Sequence, residues 1–124
     1  MSTGTRVERM QEVLRTIQKT TVDIVGSAIL TSDGFVVASK LPPEVDEEMV
    51  TGMASTLLGV GEQIAREMMG SELEQVYVKA KTGYVIVNSV TADEVLIIVT
   101  TKDVKLGLVF NEVRKRVAEL AKLL

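Results

Sequence analysis

Val95–Val99 is apolar at all five positions and rich in β-branched side chains. The run is too short to span a bilayer. A strand sends alternate side chains to opposite faces, so a strand without a polar position has to be covered on both. The chain must therefore build a sheet with helices on both sides.

The remaining stretches supply those layers. In residues 5–20, Val7, Met10, Val13, Leu14 and Ile17 fall on one helical face, with Glu8, Arg9, Glu12 and Lys19 elsewhere. The period then shortens. Residues 23–31 and 34–40 read as strands joined at Ser32-Asp33-Gly34, a tight-turn sequence. Gly26, Ser27 and Ala28 predict a helix packed close against the first of them. Pro42 and Pro43 stop the second strand. Glu44, Asp46, Glu47 and Glu48 then suit the positive end of a helix dipole over residues 46–69, which Gly70 ends as a left-handed cap. Strands over 73–80, 83–90 and 94–101 are joined by Lys81-Thr82-Gly83 and Thr91-Ala92-Asp93. In the first, Gln75, Tyr77 and Lys79 face outward, and Val76, Val78 and Ala80 inward. A final helix over 105–124 buries Leu106, Val109, Phe110, Val113, Val117, Leu120, Ala121 and Leu124, with Arg114-Lys115-Arg116 on a solvated face. The order is α-β-β-α-β-β-β-α. Hairpin-length connections demand antiparallel pairing, and helices on both faces demand three layers. The expected fold is one domain over residues 1–124, a three-layer α/β/α sandwich around a five-stranded antiparallel sheet.

Composition excludes whole classes of chemistry. With no Cys and no His, there is no disulfide framework, thiolate site or cysteine nucleophile, and the usual neutral-pH base is missing. A net charge of −3 without a basic aromatic-rich stripe argues against nucleic acid as a partner. Residues 1–5 are polar and lack an apolar signal region, so a cytoplasmic protein without a membrane partner is expected. Gly59-Val60-Gly61 lies mid-helix without a preceding strand or a following Lys-Ser/Thr, so it is no phosphate loop. Neither a cofactor nor a metal site is expected.

The 46–69 helix is unusual on both faces. Met49, Val50, Met53, Ala54, Leu57, Gly61, Ile64, Ala65 and Met68 form an apolar stripe, read as core. The opposite face centres on Gly52, Ser55, Thr56 and Gly59, with charge only near the ends, at Glu48 and Arg66. Each exposed helical glycine costs about 1 kcal/mol relative to alanine, a loss that a close contact with another backbone offsets. That face is read as an interface.

The order of elements and three local patterns resemble the Roadblock/LC7 family over nearly the whole chain. They are the hairpin Val25-Gly-Ser-Ala-Ile-Leu-Thr-Ser-Asp-Gly-Phe-Val-Val-Ala38, the strand Gly83-Tyr-Val-Ile-Val87, and Leu96-Ile-Ile-Val-Thr-Thr-Lys-Asp-Val-Lys-Leu-Gly-Leu108. The resemblance implies a profilin-like fold and a homodimer or heterodimer, with central helices side by side and third strands paired across a two-fold axis. Here that assigns Gly52, Ser55, Thr56, Gly59, Gln75, Tyr77 and Lys79 to a dimer interface. It also implies a non-enzymatic regulator or binding partner of a small Ras-like GTPase, as in prokaryotic MglB-like members, with acceleration of hydrolysis by ordering the switch regions included. Glu48, Glu62, Gln63 and Arg66 are then the partner-binding residues, with Ser55 beside them and Arg66 as the one candidate arginine finger. The alternative is a scaffold subunit like the dynein-associated relatives, without effect on hydrolysis.

Overall fold

A computed structural model describes residues 5–123. The elements are α1 (Arg6–Thr20), β1 (Ile24–Thr31), β2 (Val36–Ser39), α2 (Glu47–Met69), β3 (Gln75–Ala80), β4 (Gly83–Ser89), β5 (Glu94–Thr101) and α3 (Leu106–Leu123). Residues 1–4, expected to be polar, and Leu124, expected on the buried face of the last helix, lie outside the described residues.

The strands form one five-stranded sheet in the order β2-β1-β5-β4-β3, antiparallel throughout. β5 is central, as its apolar run requires. Its Leu96 and Ile98 enter one apolar cluster with Met10, Leu14 and Ile17 of α1 and Val109, Val113 and Leu120 of α3. Its Val95 and Ile97 enter the other, with Ala54 and Leu58 of α2. Two helices therefore cover one face and one covers the other, in the expected sandwich.

Local chemistry sets the boundaries. Thr5 caps α1 in a reciprocal box, its hydroxyl accepting from the Glu8 N–H at 3.1 Å while the Glu8 carboxylate accepts from the Thr5 N–H at 2.7 Å. Asp46 caps α2 by accepting from the Met49 N–H at 3.3 Å. Gly70 closes α2 in the left-handed conformation, φ 63° and ψ 33°, its N–H donating to the Arg66 carbonyl at 2.9 Å. At the first hairpin Gly34 takes φ 98°, a position that disfavours any other residue. The Thr31 N–H reaches the Phe35 carbonyl across the turn at 2.8 Å.

Three expectations need correction. The close helix expected at Gly26, Ser27 and Ala28 is found at Ala28, which joins the cluster with Ala54 and Leu58 of α2, but not at Gly26: a Cβ there would lie 2.9 Å from Pro42 Cδ, in the chain leaving β2. In α3, Arg114 and Lys115 are exposed as expected, but Arg116 is only partly solvated. It donates to buried Glu112 at 2.7 Å and to Glu119 at 2.7 Å, and these hydrogen bonds hold its guanidinium protonated above the ordinary range. Ala121, expected in the core, is exposed.

Candidate interaction surface

α2 lies alone on its face of the sheet, and its seating decides what the molecule presents. The residues it buries are Thr51, Ala54, Leu58, Gly61 and Ala65. A Cβ at Gly61 would lie 3.0 Å from Leu73 Cδ2, so the helix sits low over the chain leading into β3. Small side chains permit that approach. The core stripe read from the sequence holds for Ala54, Gly61 and Ala65, with Val50 and Leu57 partly buried, and is corrected at Met49, Met53, Ile64 and Met68, which are exposed, as is Val60.

On the outer ridge, Gly52, Thr56 and Gly59 are exposed, and a methyl group added at either glycine would meet nothing within 4 Å. The Thr56 hydroxyl donates back to the Gly52 carbonyl at 3.0 Å, removing a polar group that would otherwise need an outside partner. Ser55 departs from its expected place in this ridge. It is half-buried and donates to the Ser32 carbonyl at 3.0 Å, pinning α2 to the β1–β2 turn. That turn is held in turn by the Ser32 N–H on the Asp93 carbonyl at 2.7 Å.

β3 is an edge: it pairs with β4 on one side, and no strand lies on its other side among the described residues. Its expected outward set does not simply face water. The Gln75 amide donates to Asn88 Oδ1 at 2.9 Å, and the Tyr77 ring lies 5.9 Å from Phe110 of α3 and 6.1 Å from Tyr84. Lys79 is exposed. Val78 and Ala80, expected inward, are exposed as well, whereas Val76 packs against the cluster beneath α2.

Of the residues expected to meet a partner, the structure groups three and separates one. Glu62, Gln63 and Arg66 occupy the C-terminal half of α2. Glu62 and Arg66 line an open groove of about 420 Å³ with Leu73, Ser89 and Ala92. Gln63 donates to Glu67 at 3.2 Å. Arg66 is exposed, and among the described residues it makes no ion pair. Glu48 stands in the first turn, about 20 Å from Glu62 along the helix axis. The sequence reading missed the flank of Met49, Met53, Val60 and Ile64. A signal for it was present: the apolar residues of α2, with Leu58 and Val60 included, spread over more of the helix than one sheet face can cover.

Among the described residues no cluster of three His, Cys, Asp or Glu side chains could hold a metal ion, and no helix is long and apolar enough to cross a membrane.

Comparison with known proteins agrees with this architecture. The family profile for the Roadblock/LC7 domain matches residues 10–100. The uncharacterized protein MJ1340 of Methanocaldococcus jannaschii is 38% identical over 114 residues, covering 91% of this chain and 96% of its own length. A second protein of that organism, MJ0310, is 38% identical over 101 residues, 81% of this chain and 86% of its own. Among solved structures, Myxococcus xanthus MglB superimposes with a TM-score of 0.88 at 14% identity, covering 99% of this chain and 92% of that one. Profilin II of Acanthamoeba castellanii gives 0.65 at 20%, covering 90% and 96%. These similarities establish a shared profilin-like fold. With the family profile spanning most of its length and a close relative matching nearly end to end, this chain belongs to the Roadblock/LC7 domain family.

Proposed function

We propose that the chain is a non-enzymatic, dimeric partner of a small Ras-like GTPase. The observation that supports this best is the coincidence of two incomplete surfaces. The exposed small and apolar face of α2 lies beside the open edge of β3, and both can be completed by one second copy. An isologous contact would set α2 against α2 and β3 against β3. Gly52, Thr56 and Gly59 then permit close approach, while Met49, Met53, Val60 and Ile64 supply buried apolar area. The Glu62, Gln63 and Arg66 cluster remains at the rim, where a partner can reach it. A protein of this kind acts by differential binding: it favours one arrangement of the GTPase switch segments and so positions the GTPase's own groups.

Two measurements test the reading. Gly59→Leu adds its side chain into open space, so the protomer should keep its fold while light scattering shows the dimer lost. An unchanged dimer refutes the close contact. Mixing the protein with a small GTPase encoded beside it, loaded with GDP or a GTP analogue, should give co-elution with one nucleotide form only. Equal binding to both forms would instead identify a scaffold.

A further inference from the structure

The sulfur of this chain is distributed unevenly. It has no Cys, and also no Trp or His, so methionine thioethers are its most readily oxidised side chains. Met10 is 1% exposed, sealed between α1 and the sheet. By contrast Met49 is 60%, Met53 58%, and Met68 and Met69 both 78% exposed, and all four stand on α2. Met49 and Met53 are one turn apart on the same flank. They lie beside Gly52 and Thr56 and form the N-terminal part of the apolar surface described above.

We propose that Met49 and Met53 are oxidation sites through which a peroxide controls the pairing of α2 faces; this rests on the dimer reading above. In the step itself the thioether sulfur attacks one oxygen of hydrogen peroxide. The O–O bond breaks, an S=O bond forms, and the second oxygen leaves as water. Sulfur is oxidised by two electrons and the peroxide is reduced by two. The product replaces a flexible apolar side chain with a polar sulfoxide. The flank has little to satisfy a new acceptor. Around it stand glycines, Val60 and Ile64, and the nearby Thr56 hydroxyl already donates to Gly52. Each sulfoxide buried without a donor should weaken pairing roughly tenfold. In the monomer the same group points to water and costs the fold little. Pairing in turn covers the thioethers, so the dimer protects its own sulfur and the dissociated protomer is the species attacked. Because sulfoxides are reducible enzymatically, the change is reversible.

The experiment treats the purified full chain with graded hydrogen peroxide at several protein concentrations. Peptide mass mapping, light scattering and circular dichroism are then recorded. Met49 and Met53 should gain oxygen well before Met10, and more slowly at concentrations where the dimer predominates. The oxidised chain should keep its circular dichroism, dimerise at least tenfold more weakly, and recover after methionine sulfoxide reductase treatment. The double variant Met49→Leu, Met53→Leu should stay dimeric through the same treatment. Full oxidation at both positions with unchanged dimer affinity would overturn the proposal, as would equal loss of the dimer in the double variant. Untreated protein that is monomeric at every concentration would defeat the dimer reading itself, a separate and recognisable result.

Discussion

The two faces of the sheet are built from the same residue types and end in opposite conditions. On the side of α1 and α3, two amphipathic helices bury Met10, Leu14, Ile17, Val109 and Leu120, and the strands beneath contribute Ile29, Ile86, Leu96 and Ile98. On the other side one helix, more apolar than either, buries Ala54, Leu58, Gly61 and Ala65 and leaves Met49, Met53, Val60, Ile64, Met68 and Met69 exposed. Two helices can close a five-stranded sheet; one cannot. A surplus of apolar surface on the lone helix then marks a face that folding of the single chain does not finish.

Methionine gives the sharpest way to break that contrast, because it occurs on both sides. Met10→Ala should cost about 2–5 kcal/mol of folding stability, the range for emptying a core site. Met53→Ala should change protomer stability by no more than about 0.5 kcal/mol while weakening association. Urea unfolding at a concentration too low for dimerisation measures both. Equal losses would mean that the α2 flank is core and that the two faces do not differ in kind.

The next effect concerns charge within the closed face. Glu112 is buried on α3 and holds Arg116, which also reaches Glu119. Glu112→Ala leaves the guanidinium with one partner at a partly solvated position, so the expected loss is about 1–3 kcal/mol, below that for a wholly buried pair. Thermal unfolding measures it, and the dimer constant should not move. A shift in association would place α3 in the interface and undo the division of labour between the faces.

Much of this arrangement was legible before any coordinates. The unbroken Val95–Val99 run specified the central strand, and Asp46 and Gly70 marked both ends of α2, because each feature acts through local backbone chemistry. The rotation of α2 was not legible in the same way. Its apolar residues occupy a wide arc, and which part meets the sheet depends on how low the helix can sit over Leu73 and Val76, a tertiary matter decided by Gly61 and Ala65. Ser55 shows the same limit. Its small size fitted an interface ridge, but its hydroxyl is claimed by a carbonyl 23 positions away in sequence. Tyr77 likewise alternates as an outward residue yet rests on Phe110, since an edge strand is only half covered by each layer.

The smallest expected effects come from the two helix caps, and they separate the faces again. Thr5 closes α1 with two hydrogen bonds, whereas Asp46 closes α2 with one at 3.3 Å. Replacing either by alanine should cost on the order of 1 kcal/mol, with Asp46→Ala at the lower end because its bond is long. The consequences should differ in kind. Fraying of α1 loosens a turn on the opposite side of the sheet from α2, whose residues Val7 and Arg9 are exposed, so association stays as it was. Fraying of α2 releases Met49, whose N–H is the group that Asp46 holds. A looser first turn must then be ordered again when two copies pair, and that ordering opposes association. Asp46→Ala should therefore weaken the dimer by more than its effect on unfolding alone implies, while Thr5→Ala should not. Sedimentation equilibrium beside urea unfolding on both variants decides it: parallel behaviour of the two caps would show that the start of α2 takes no part in the contact.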